Sequence, residues 1–396
     1  MTIHELVASL EPEINAVRQQ IHENPELGLK EYNTSALIEK ELREKTHVDR
    51  IEHIGETGLL VEIKGTKPGT AHCIALRGDM DALPIKEDES HELRSRTDGI
   101  MHACGHDVHT SILLGAGRVL EHYRNQIAGS ILFFFQPSEE TLQGGKLFAE
   151  SPKIDFHTID GVAALHVTPD LCAGKIGVRY GAILGSSDEL TITVKGKGGH
   201  GAHPDTVIDP ILLAAQIVQA LQMLVSRELA ADESGVVSLC SIQGGNAFNI
   251  IPDSVVLKGT IRALDPKVRE HILKRIPEIC KGIAVAGRGD AEVNIKLGPP
   301  PLVSDSQWVD RVKRCGSKLL GHENVIELAH PSMGAEDFAF VMEKAPGVFV
   351  RFGSRSEGGP YGGLHSPHFY CDRKALTTGI LTLAGIALDF FDVDFE

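Results

Sequence analysis

The hydrophobic pattern of the chain alternates between two periods. Apolar residues recur at helical spacing over 13–20 and 34–42 and then as short runs over 58–63 and 72–76, which predicts two amphipathic helices followed by two strands. A helix over 107–122 comes next. Apolar runs at 130–135, stopped by Pro137, and at 162–165, ended by His166 ahead of Pro169, predict two further strands. Strands interleaved with helices imply a mainly parallel sheet covered on both faces.

Around Gly185-Ser186-Ser187 the pattern changes. Positions 189–195 alternate as a strand, and Asp209-Pro210 is an N-cap acid followed by proline at the first helical position, so a helix is predicted to about Arg227. Strands over 235–242 and 254–263, a helix from Asp265 to about Ile283 bent at Pro277, and a strand over 291–297 complete the order β-α-β-β-α-β. That is the ferredoxin-like order of a small α+β unit. Pro299-Pro300-Pro301 makes a stiff exit, after which a strand at 347–352 and a closing helix from Arg373 to about Phe391 restore the α/β pattern. The expected architecture is a discontinuous α/β domain, 1–186 with 300–396, interrupted by an inserted ferredoxin-like domain at 187–299. Two such bodies can hinge about a cleft.

Composition narrows the function classes. With 396 residues, 42% hydrophobic and 23% charged, the chain is an ordinary globular sequence of more than one core. The balance of 39 Lys+Arg against 54 Asp+Glu, −15 overall, offers no generic phosphate-binding surface, so neither nucleic acid nor anionic membrane is an expected partner. No basic leader opens the chain, and no apolar stretch approaches the roughly 20 residues of a membrane span. Seven cysteines without a CxxC pair read as reduced thiols, and the expected location is cytoplasmic.

Candidate chemistry concentrates in a few segments. Met101-His102-Ala103-Cys104-Gly105-His106-Asp107-Val108-His109 packs a thiol, three imidazoles and an acid into nine residues, the preferred ligand types for zinc and its neighbours. By itself the segment reads equally as a polar loop with a core cysteine. Glu139-Glu140 follows a buried strand, where adjacent carboxylates point in different directions, so one can bind metal while the other faces substrate as a base. His166 ends another strand, and His365 lies in a glycine-rich loop before the last helix. Several of these residues follow predicted strands, and open parallel sheets bind ligands beyond the carboxyl ends of their strands. Five potential ligands exceed what one tetrahedral ion needs, which favours two metals. Gly196-Lys197-Gly198-Gly199-His200-Gly201 matches a dinucleotide fingerprint but opens no helix and has no acid about 20 residues on, so it reads as a flexible loop presenting His200.

Almost end to end, the chain resembles the dinuclear metallo-amidohydrolases that include hippurate hydrolase, auxin-conjugate hydrolases and N-acyl-amino-acid deacylases, relatives of aminoacylases and glutamate carboxypeptidases. The resemblance is carried by HENPELGLKE at 22–31, LRGDMDALP at 76–84, MHACGHDVHT at 101–110, QPSEE at 136–140, ALHVTP at 164–169, GKGGHGAHP at 196–204, NIIPD at 249–253, GTIRALD at 259–265, SMGAEDFA at 332–339 and LHSP at 364–367. It implies two divalent ions per subunit (Zn, Mn, Co or Ni), with Cys104 bridging, Glu140 and His365 on one and His106 and His166 on the other. It further implies Glu139 as general base, Asp81, with Asp79, behind the ligands, and Asn249 and Arg262 on the substrate carboxylate. His200 would reach the site of a neighbouring subunit from an inserted lid domain that also forms a homodimer. The implied reaction is hydrolysis of the amide bond of an N-acyl amino acid. Ser138 before the acid pair, Thr141-Leu142-Gln143 before Gly144-Gly145, and Cys172 depart from the family pattern. The rival readings are a dipeptidase or carboxypeptidase on the same centre, a catalytically silent ligand-binding homologue, and a nucleotide-dependent oxidoreductase resting on the glycine motif alone.

Overall fold

The computed structural model describes residues 1–395. The chain forms two compact units, one of Met1–Gly181, Val303–His330 and the segment from Asp337 onward, the other of Ala182–Leu302 and Pro331–Glu336.

The first unit is a mixed α/β fold around an eight-stranded sheet. Its strands run in the spatial order Arg50–Ile54, Gly58–Lys64, Gly129–Gln136, His72–Asp79, Gly161–Cys172, Gly347–Arg355, Ile176–Val178, Val325–Glu327. The four central strands from Gly129–Gln136 to Gly347–Arg355 are parallel to one another. They are the continuous apolar runs of the sequence, Phe133-Phe134-Phe135 among them, because helices cover both faces. Antiparallel and very short strands fill the edges, at Gly58–Lys64 and Ile176–Val178 for example, making the sheet mainly rather than wholly parallel.

The helix His106–His122 is buried from His106 through Leu120 and crosses the closing helix Arg373–Phe390. Two glycines permit that crossing: a Cβ on Gly379 would lie 2.1 Å from Ile112, and one on Gly115 would lie 2.6 Å from Ile380. Ile3–Glu23 opens with a capping box on Thr2 and Glu5 and packs its buried Ile14, Val17 and Ile21 into the same core.

The second unit is a four-stranded antiparallel sheet, ordered Gly235–Gln243, Ser254–Ala263, Asp188–Lys195, Asp290–Leu297, with the helices Pro210–Met223 and Pro266–Ala286 packed into its core. Asp209 and Asp265 cap those helices, each accepting two backbone N–H groups. The second helix continues through Pro277 to Ala286 rather than ending near Ile283.

Pro210–Glu228 is a helix of 19 residues with mean hydropathy 1.2, long and apolar enough to cross a membrane, and only 33% of its window is buried within the chain. Glutamines at 216, 219 and 222 interrupt the apolar run. Leu213, Ala214, Ile217, Leu221 and Leu224 pack into the core of the unit, while Ile211, Leu212 and Met223 are exposed.

Candidate metal centre

Three neighbouring parallel strands deliver the polar residues of the site. His72–Asp79 runs out into Asp81, Gly129–Gln136 runs out into Ser138-Glu139-Glu140, and Gly161–Cys172 carries His166. Because these strands point the same way, their carboxyl-side residues gather at one edge of the sheet. The loop before His106–His122 adds Cys104, and its backbone needs glycine at position 105. Gly105 has φ +79°, and a Cβ there would lie 2.7 Å from Val167.

Of the five groups of three potential ligand atoms that lie within 4.8 Å of one another among the described residues, two, Cys104/His106/His166 and Cys104/Glu140/His365, share Cys104. Cys104 Sγ is 3.3 Å from His166 Nε2, and Glu140 Oε1 is 3.3 Å from His365 Nε2 and 3.8 Å from His106 Nε2. Glu139 is buried beside them, its Oε2 4.0 Å from His106 Nε2.

The remaining nitrogens settle which atoms face inward. His106 Nδ1–H donates to Asp81 Oδ1 at 3.1 Å, and His166 Nδ1–H donates to the Val167 carbonyl at 2.7 Å, so each Nε2 keeps its lone pair for the centre. Asp81 has a second task. Its Oδ1 accepts the Glu139 N–H at 3.1 Å and its Oδ2 the Glu140 N–H at 3.0 Å, which pins the acid pair.

The donor set fits a divalent cation. His106 Nε2 and Glu140 Oε1 are buried with no hydrogen-bond partner, an arrangement that is costly unless an ion takes those lone pairs. Burial and the Glu140 carboxylate push the Cys104 thiol up, against thiolate formation that a cation would supply. Hydrogen bonds to Cys104 and Glu140 raise His365 to about 10. Burial holds His166 well below its ordinary range, hence neutral and able to ligate.

Behind the proposed ligands lies a frame of which the sequence announced only Asp79 and Asp81. Arg77, fully buried, donates to Gln136 at 2.9 Å, to Asp79 at 2.6 Å and to Asp337 at 3.2 Å. Asp79 in turn accepts His109 Nδ1–H at 2.6 Å, and His109 Nε2 accepts the Val167 N–H at 2.9 Å, beside His166. Glu31 accepts the Ser138 N–H at 2.9 Å, holding a residue at φ +59° immediately before the acid pair. A positive φ at a non-glycine position is strained, and His365 shares it at +57°. The only sequence signal for Glu31 was its place in the 22–31 motif.

His200, Asn249 and Arg262 belong to the second unit. His200 is exposed on the two-residue strand Gly199–His200, opposite Ile250, and its Nδ1 accepts the Ala202 N–H. Asn249, also exposed, accepts the Gly201 N–H through its carbonyl, so these two residues are neighbours. Arg262 lies on Ser254–Ala263 and donates to Thr260 and to the Ile261 carbonyl.

An α/β sheet edge that presents a thiol, imidazoles and paired carboxylates around one buried centre fits a metal-dependent hydrolase. The comparisons narrow it: the profile of Peptidase family M20/M25/M40 matches residues 75–389, and the chain belongs to that family. It is 37% identical over 370 residues to the N-acetyl-L-cysteine deacetylase of Bacillus subtilis, covering 93% of this chain and 86% of that one. It is 38% identical over 378 residues to an Arabidopsis thaliana protein named IAA-amino acid hydrolase ILR1-like 4, covering 94% and 84%. Among solved structures, the YxeP protein of Bacillus subtilis, described as a dinuclear metal binding peptidase of family M20, superposes with a TM-score of 0.84 at 31% identity, covering 98% of this chain and 100% of that one.

Proposed function

We propose that this enzyme cleaves the amide bond of N-acyl amino acids, releasing a carboxylate and the free amino acid. The observation that carries the reading is the shared position of Cys104 in both ligand groups, with Glu139 standing beside the ligand Glu140. On this reading Cys104, Glu140 and His365 would hold one divalent ion and Cys104, His106 and His166 the other. Zn, Mn, Co and Ni all suit this donor set. The names of the two relatives, one acting on an N-acetyl and one on an indoleacetyl conjugate, support an acyl amino acid as substrate.

Bound divalent ions supply polarisation of the scissile carbonyl and a lowered pKa for a coordinated water. Glu139 takes the proton of the attacking water on its carboxylate and returns it to the leaving amine nitrogen. Asp81 keeps that carboxylate aimed by fixing the Glu139 amide. Asn249 and Arg262 take the substrate carboxylate, and His200 donates to the developing oxyanion of a partner subunit's substrate.

The second unit, as an inserted lid domain, forms a homodimer through the exposed side of Pro210–Met223 and the edge strand Gly235–Gln243. Ile211, Leu212 and Met223 are 44%, 58% and 55% exposed there, an apolar face that a second copy would cover. Seven free cysteines suit a reducing, cytoplasmic setting.

The test is Glu139→Gln assayed against N-acetyl, N-benzoyl and N-indoleacetyl amino acids, beside elemental analysis. Turnover should fall by about 10²- to 10⁴-fold with metal content unchanged. Near wild-type turnover in the variant sinks the assignment.

A further inference from the structure

The first helix brings a second charged cluster up against the metal-binding loop. Arg18 and His22, four residues apart on Ile3–Glu23, share one helix face. His22 is 5% exposed, its Nδ1 2.9 Å from Asp107 Oδ2 and its Nε2 3.0 Å from Glu87 Oε1. Ionised carboxylates only accept, so a ring with both nitrogens on carboxylates must donate from both and carry a positive charge. Arg18 adds a second cation, its Nε 2.7 Å from the same Asp107 oxygen. Two cations then face two anions, a balance that suits burial.

What the clamp joins gives it a function. Asp107 is the residue after His106, in the first turn of His106–His122. Glu87 anchors the segment that follows the Asp81 turn, accepting His91 at 3.0 Å and the Ser95 N–H at 2.7 Å. The next residue, Asp88, donates its N–H to the Pro367 carbonyl at 3.1 Å and pairs with His368 at 3.3 Å, in the loop that carries His365.

We propose that His22 is a positioning residue of the metal centre: as an imidazolium held between Glu87 and Asp107, it locks the loop bearing His106 and the loop bearing His365 to one frame. The role rests on the ligand assignment proposed above. The groups facing His22 are Asp107 from the start of His106–His122, Glu87 with His91 behind it, Arg18 from its own helix, and His102, whose ring lies 6.4 Å away and which burial holds neutral at about 3. Burial works against a charge on His22, but Asp107 and Glu87 outweigh it and the net shift is upward.

Two measurements on the full-length protein test the role. Ring nitrogen NMR of His22 in the wild type, assigned by difference against His22→Gln, should show the doubly protonated form at neutral pH; a neutral ring overturns the proposal. Zinc affinity measured by chelator competition should fall about 10- to 100-fold in His22→Gln, the usual cost of losing a partner that orients ligands. The ratio of wild-type to variant affinity should shrink as pH rises through the titration of His22, and added imidazole should restore affinity to His22→Gly. If His22→Gln does not fold, Glu87→Gln replaces it, with a loss in the same direction expected. Affinity within about twofold of wild type in the folded variant overturns the role of His22. Wild-type protein that binds no zinc overturns the ligand assignment and this role with it.

Discussion

Asp81→Asn is the sharpest perturbation of the site, because it changes one oxygen to an amide without changing shape. Asp81 accepts three donors: His106 Nδ1–H and the Glu139 N–H on Oδ1, and the Glu140 N–H on Oδ2. An asparagine can keep its carbonyl toward the first two, but its NH2 then meets the Glu140 N–H, donor against donor, at the present 3.0 Å. Flipping the amide is worse, since the clash then involves Glu139 and forces His106 to change tautomer. A buried donor left without an acceptor costs about 1–3 kcal/mol, and the surviving bonds lose their charge assistance. The expected result is a loss of metal affinity of about 10- to 100-fold, equal to about 1.4–2.7 kcal/mol, together with a Tm lower by a few degrees in the metal-free protein. Chelator competition and thermal unfolding with and without metal read the two effects separately. Affinity within about twofold of wild type would refute the claim that Asp81 orients His106 and the acid pair.

Two further predictions concern assembly and acid stability. Mixing inactive Glu139→Gln with inactive His200→Ala should restore activity, because on the proposed homodimer a mixed pair would contain one site with an intact group from each subunit; no recovery after verified subunit exchange removes His200 from a partner's site. Glu87 sits at about 2 against an ordinary 4.5, burial opposing the charge but His22 and His91 outweighing it. A depressed carboxyl contributes stability that is present above its ordinary value and is lost as pH falls toward its folded one. In chelated protein, the difference in urea midpoint between wild type and Glu87→Gln should therefore narrow from about pH 5 to about pH 3, and a constant difference would contradict it.

The parts of the fold visible in the sequence are those whose burial leaves a local mark. The central strands read as apolar runs because both their faces are covered, and the caps Asp209 and Asp265 read as helix starts because the capped N–H groups lie two and three residues away. Short strands such as Ile176–Val178 and Val325–Glu327 leave no such mark, since three residues carry no period. The rest of the frame behind the proposed ligands was equally silent. His22 pairs with residues 85 and 65 positions away, and Arg77 with one 260 positions away. A lone arginine or histidine in an amphipathic pattern looks like any solvated side chain until its partner is in place.

That silence bears on the histidine cluster itself, where sequence alone gives three imidazoles within eight residues and no local rule for choosing among them. Their second nitrogens make the choice. His109 is spent on both sides, donating to Asp79 and accepting from the Val167 N–H, so it has no lone pair to give, although its ring centroid is 4.6 Å from that of His166. His102 is bonded on neither side and joins no group of three ligand atoms among the described residues. His106 alone has one nitrogen committed to Asp81 and the other buried, unpartnered and aimed at Cys104, His166 and Glu140. On the proposed ligand assignment, the hydrogen bond on the far side of each ring favours His106 over its two neighbours, and a substitution at Asp81 would remove that bias without touching a proposed ligand.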